Sequence, residues 1–171
     1  LELGVLGLVH HAHATATEVL EELGEGIPRL LVDLDALDRN IGRLVAVQPA
    51  ERIRIVAKSL PSPELIAYVS NRLWGSALPP RLMVFHLPFL IQLSRRFPEA
   101  DVLMGKPLPT AAVSRFHRIV GADARPRIQW LADNAARLEQ LSALAETLSL
   151  RLNVSLEIDI GMHRGGVASA E

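Results

Sequence analysis

The sequence predicts an α/β protein, a parallel (β/α) barrel of the TIM type that is incomplete. Three observations lead there. Short apolar runs of strand length recur along the chain, each followed by a segment with helical spacing, which means parallel strands with helices outside. The last run, 152–160 (LNVSLEIDI), alternates: Val154, Leu156, Ile158 and Ile160 face one way, and Asn153, Ser155, Glu157 and Asp159 the other. A strand in an open doubly wound sheet is apolar on both faces, whereas carboxylates on one face suit a barrel interior near its mouth. Finally, only about five strand–helix units can be read, where a closed barrel needs eight and about 250 residues. The 171-residue chain is therefore expected to be the front portion of a larger protein.

In order, residues 27–34 (IPRLLVDL) follow Gly24 and Gly26 and read as a strand. Asp33 or Asp35 then caps a helix in which Leu34, Leu37, Ile41, Leu44 and Val45 recur at helical spacing, and Pro49 closes it. Ile53, Ile55, Val56 and Ala57 form a β-branched run, long enough for a buried strand and too short for a helix. Ser62 offers an N-cap, with Pro63 at the first helical position and Glu64 beside it. The helix they start runs to about Arg72 and buries Leu65, Ile66 and Val69; Tyr68, the single tyrosine, reads as a packing residue on it.

Residues 82–86 (LMVFH) are the next strand, and Pro88 opens a helix carrying Leu90, Ile91 and Leu93. Residues 101–105 (DVLMG) follow, ended by Lys106 and Pro107, with a helix from about Pro109 to Ile119 that turns Val113 and Phe116 inward. After the strand at 127–131 (RIQWL), Asp133 caps a periodic helix through Leu138, Leu141, Leu144, Ala145 and Leu148.

The composition, 49% apolar and 22% charged, is that of a soluble domain with ample core. A net charge of -1 and a pI near 6.7 imply no basic face, which argues against nucleic acid as a partner. Cysteine is absent, which excludes disulfides, thiolate zinc sites and cysteine nucleophiles, and fits a cytoplasmic location. No uninterrupted apolar run is long enough to span a bilayer, so no membrane partner is expected. Residues 1–25 read as an N-terminal tail ahead of a domain over 26–171. The tail lacks the basic start of a signal peptide, and His10, His11 and His13 have no further ligands near them.

The chain holds two lysines, Lys58 and Lys106, against sixteen arginines. Both lysines stand at strand ends, where α/β folds put their chemistry. Arginine keeps its proton in a protein, whereas a lysine can give one up, and a neutral amine is what a Schiff base requires. On position alone, Lys58 reads as an ammonium reaching into water at a strand terminus. His86 also sits at a strand end, on the rim of the same mouth.

The stretch IPRLLVDLDALDRNI, the strand ending in Lys58, and EIDIGMHRGGV together resemble the amino-terminal domain of the alanine-racemase-like (fold type III) pyridoxal-phosphate enzymes, over about residues 27–167. The closest likeness is to the D-threonine aldolase and D-serine dehydratase branch. The resemblance implies that Lys58 holds pyridoxal phosphate covalently and that Arg164 reaches the cofactor's phenolic oxygen. It implies that Gly161, with Gly165 and Gly166, lets the backbone approach the ring; His86 and Lys106 read as rim residues from their place at strand ends alone, where a lone histidine is more often structural than catalytic. His163 is the weaker candidate of the glycine loop. In alanine racemases a carbamylated lysine commonly stands two residues before the strand's aspartate and steadies the arginine. Glu157 occupies that position here and is expected to pair with Arg164 directly.

The implied activity is retro-aldol cleavage of D-β-hydroxy amino acids, with little turnover from this portion alone. Amino-acid racemisation, D-serine dehydration and a non-catalytic pyridoxal-phosphate carrier are the alternatives. The family leads us to expect a small D-amino-acid substrate, a homodimer at full length and a divalent manganese or zinc ion. The ion's ligands, the phosphate-binding loops and the C-terminal β-domain are expected to lie in segments absent from this sequence.

Overall fold

A computed structural model describes residues 31–121, 127–161, 163 and 165–168. The chain divides into two compact units, residues 1–49 and 50–171.

In the first unit, α1 (Leu34–Val47) begins at Asp33, whose Oδ1 accepts the N–H of Ala36 at 2.9 Å. Between the two aspartates offered by the sequence, Asp33 is therefore the cap. Leu34 and Ile41 are buried, but Leu44 and Val45 are exposed, so the predicted stripe is only partly covered. Of the predicted strand at 27–34, residues 27–30 lie outside the described residues. Residues 31–33 carry no strand, and Leu34 opens the helix instead.

In the second unit, five strands form one parallel sheet in the order β1-β2-β3-β4-β5: β1 (Ile55–Val56), β2 (Arg81–Val84), β3 (Asp101–Met104), β4 (Arg127–Ala132) and β5 (Asn153–Leu156). Between them run α2 (Pro63–Trp74), α3 (Leu87–Arg96), α4 (Thr110–Val120) and α5 (Ala135–Leu148). Each strand pairs with its successor in sequence, without the reversal of order that marks a doubly wound sheet. Sequential winding of this kind is how a (β/α) barrel is built, so the five strands are the predicted incomplete barrel.

The register explains the two faces. Ile55, Leu82, Val102 and Ile128 lie in one row, and they are buried together with Val84, Met104, Trp130 and Ala132. These side chains form the core under the helices with Ile66, Leu90, Leu93, Val113, Phe116 and Leu141, all almost fully buried. On the opposite, inner face, Arg54 donates to the carbonyls of Leu82 (2.9 Å) and Asp101 (2.8 Å) and to Asp101 Oδ1 (3.1 Å). Gln129 Nε2 donates to the same Oδ1 at 3.1 Å, and Ser155 Oγ donates to Gln129 Oε1 at 3.1 Å. This polar chain runs from Arg54, just before β1, to β2, β3, β4 and β5 across the inside.

The helix starts follow the local chemistry. Ser62 Oγ accepts the Leu65 N–H at 3.1 Å, with Pro63 in the first turn, as predicted. Several boundaries are corrected, and the predicted strands at 82–86 and 101–105 run instead over Arg81–Val84 and Asp101–Met104. Asn134, rather than Asp133, caps α5, its Oδ1 accepting the Arg137 N–H at 2.8 Å. The strand before Lys58 is only two residues long, because 3-10 turns at Ala50–Arg52 and Ala57–Ser59 consume its ends. The predicted strand at 152–160 is regular only over Asn153–Leu156, and beyond it a single parallel bridge joins Ile158 to Val167.

Candidate active site

In a parallel sheet all strand ends of one kind lie on one side, so the residues just after β1, β2, β3 and β5 share a rim. Lys58 stands there in the 3-10 turn that follows β1, with its side chain exposed. Phe85 follows β2, and the Lys58 Nζ lies 4.1 Å from the centre of its ring. Gly105 follows β3, its N–H donating to the Val84 carbonyl at 2.8 Å. A Cβ at Gly105 would collide with the Phe85 ring, so glycine is needed there for the ring to lie where it does. Lys106, the next residue, is exposed.

His86 sits one residue past Phe85 as the N-cap of α3. Its Nδ1 accepts the Phe89 N–H at 3.3 Å, and its ring stacks on Phe89 with centroids 5.8 Å apart. The structure thus gives this rim histidine a capping task that explains its presence without any ligand.

After β5 the chain makes a compact loop. Ser155 pairs in register with Leu131, on the face opposite Trp130 and Ala132, and beyond the strand Glu157 and Asp159 stay half-buried while Leu156, Ile158 and Ile160 are exposed. Asp159 Oδ1 accepts the N–H of Gly161 (2.9 Å) and of His163 (3.0 Å), while Oδ2 meets His163 Nδ1 at 2.8 Å. His163 takes a positive φ of 52° to meet it, a left-handed conformation uncommon outside glycine and asparagine.

The loop then folds back. Val167 N–H donates to the Glu157 carbonyl and Asp159 N–H to the Val167 carbonyl, each at 2.9 Å. Gly166 makes the approach possible, since a Cβ there would stand 2.8 Å from the Asp159 nitrogen and 2.9 Å from the Glu157 oxygen. At Gly165 a Cβ would lie 3.6 Å from Glu157 Oε2, so the Glu157 carboxylate borders this glycine turn. Arg164 lies outside the described residues, and its predicted pairing with Glu157 has no described geometry. Gly161, with φ 106°, is exposed and held by Asp159.

The structure brings Lys58 to the same rim as Phe85 and Gly105, and it sets Glu157 against the glycine turn. Sequence reasoning missed Phe85. Its signal was the alternation Arg81, Met83, Phe85, which places the ring on the inner face at the strand's end. The donor set fits pyridoxal phosphate: a primary amine for the aldehyde, an aromatic ring beside it, and a glycine turn bordered by the Glu157 carboxylate just past the last strand. Among the described residues no group of three or more histidine, cysteine, aspartate or glutamate side chains could hold a metal ion. Nor is any described helix long and apolar enough to cross a membrane.

Compared with known proteins, residues 32–171 match the family described as alanine racemase, N-terminal domain. No curated protein matches the chain.

Proposed function

From a chain that belongs to the alanine racemase N-terminal domain family, a pyridoxal-phosphate-dependent enzyme domain of fold type III, we propose the lysine-bearing part of a lyase that cleaves D-β-hydroxy amino acids. The observation that carries the reading is the place of Lys58, one of only two lysines, on the rim where parallel strands end. Pyridoxal phosphate bound there supplies an electron sink for the bond broken at the substrate's Cα.

The chain's own residues then have separate tasks. Lys58 would hold the cofactor through Nζ, the primary amine at the rim. By the family resemblance Arg164 would meet the phenolic oxygen, and Glu157, whose carboxylate borders Gly165, would supply the negative charge that orients it. Asp159 fixes the loop by its three contacts to Gly161 and His163. His86 and Gly161 stand on the rim and bound the space.

Retro-aldol cleavage is preferred to racemisation because the motifs IPRLLVDLDALDRNI and EIDIGMHRGGV look closest to the D-threonine aldolase and D-serine dehydratase branch. The family's description keeps racemisation as the second reading. Manganese or zinc, expected for the lyase branch, and dimerisation belong to the same proposal.

The test is incubation with pyridoxal phosphate, manganese and either D-threonine or D-alanine. Slow release of glycine and acetaldehyde from D-threonine, abolished by Lys58→Ala, is the expected result. Exchange of the Cα proton of D-alanine without cleavage of D-threonine overturns the lyase reading in favour of a racemase. Covalent loading of Lys58 with neither reaction keeps the cofactor reading and favours a carrier over catalysis by this chain alone.

A further inference from the structure

We propose that Phe85 is the positioning residue that makes Lys58, rather than Lys106, the amine that captures the cofactor's aldehyde. The inference rests on the cofactor reading above and adds a residue to it.

The two lysines are alike in every coarse respect. Each follows a strand of the sheet, each is exposed, and no other lysine competes with them. The difference is the aromatic ring. Lys58 Nζ lies 4.1 Å from the Phe85 centroid, within the range where the ring's negative face attracts a cation. The other cation–π contacts among the described residues are Arg72 with Tyr68 and Arg96 with Phe97, both between near neighbours in sequence. Lys58 with Phe85 instead joins the ends of two neighbouring strands, β1 and β2.

The ring is itself placed by backbone. Val84 pairs with Met104, so Phe85 continues opposite Gly105, and the Gly105 N–H to Val84 carbonyl bond of 2.8 Å holds the two strand ends together beneath it. The ring fills the space a side chain at Gly105 would need. A lysine stem left alone samples many rotamers in water. One whose nitrogen rests on a fixed ring presents that nitrogen in a small volume at the mouth, and this restriction raises its effective concentration toward a bound aldehyde. Nζ adds to the aldehyde carbon after its ammonium has given one proton to solvent, and the carbonyl oxygen leaves as water with the two remaining protons. Phe85 takes no part in that exchange.

The experiment is borohydride trapping of the full 171-residue chain with pyridoxal phosphate, read by peptide mapping as the ratio of label at Lys58 to label at Lys106. Phe85→Leu is expected to lower the ratio by about two- to five-fold, as the lysine stem regains rotamer freedom and the neutral amine is no longer held at the mouth. Phe85→Tyr, which keeps the ring, is expected to restore it. Gly105→Ala keeps Phe85 but displaces its ring and is expected to lower the ratio as well, so a folding failure of one variant leaves another to decide. A second readout needs no cofactor: after reductive ¹³C-methylation, the Lys58 methyl resonance is expected to be ring-shifted in the wild-type chain and unshifted in Phe85→Leu. An unchanged ratio in Phe85→Leu, with Lys58 labelled in both chains, overturns the inference and leaves the cofactor reading standing. Absence of label at Lys58 in the wild-type chain overturns the cofactor reading and this inference with it.

Discussion

Phe85 and Gly105 are complementary across two strand ends: the ring of one occupies the place where the side chain of the other would begin. Gly105→Ala therefore forces the ring or the backbone to move. Overpacking of this kind costs about 1–3 kcal/mol. A urea unfolding curve should show a lower midpoint at unchanged slope, whereas an unchanged midpoint would mean that the ring has other room.

Gly166→Ala should be more damaging. The substitution sets a Cβ against the backbone of Ile158 and Asp159, at 2.8–2.9 Å, in a residue whose φ is 97°. Backbone atoms cannot swing aside as a side chain can, and a left-handed conformation alone costs about 1–3 kcal/mol. Loss of the bridge between Ile158 and Val167 should appear as fast amide exchange at Asp159 and Val167. Retained protection at both amides would contradict the account of the loop.

Asp159 offers a finer distinction. Its Oδ1 serves two loop amides and its Oδ2 serves the His163 ring. Asp159→Asn keeps an acceptor for the amides and should leave the loop resistant to limited proteolysis. Asp159→Ala removes both functions and should expose residues 160–166 to cleavage. Equal cleavage of the two variants would show that the amide contacts are not what holds the loop.

The inner polar chain makes a prediction about stability away from the rim. Arg54 and Asp101 meet at 3.1 Å with side chains 18% and 20% exposed, and Gln129 shares the same oxygen. Asp101→Ala leaves a half-buried guanidinium and an amide without this acceptor, at a cost of about 1–3 kcal/mol. A double-mutant cycle with Arg54→Met should show coupling well above the few tenths typical of surface pairs. Simple additivity would place the chain's support elsewhere.

Much of this was legible in the residues. The Ser62-Pro63 start of α2 and the alternation of the last strand carry their geometry in their spacing, and the match to the alanine racemase N-terminal domain family agrees with the motifs. What was not legible depends on contacts between segments. Asp133 was read as the cap of α5, but the neighbouring Asn134, a cap of equal quality by residue type, takes the place. The apolar residues of 152–160 promised a buried face, yet Val154, Leu156, Ile158 and Ile160 are 38–87% exposed. Alternation fixes which way a side chain points and says nothing of what covers it. The alternation Arg81, Met83, Phe85 gives the ring's face, but its contact with Lys58 and its fit against Gly105 depend on neighbouring strands.

The most direct test of the whole account is the site of covalent capture. Treat the chain with pyridoxal phosphate, reduce with borohydride, digest, and map the modified lysine by mass. The account predicts a phosphopyridoxyl group on the peptide containing Lys58 and its loss in Lys58→Ala. Label confined to Lys106, or on neither lysine, would contradict it.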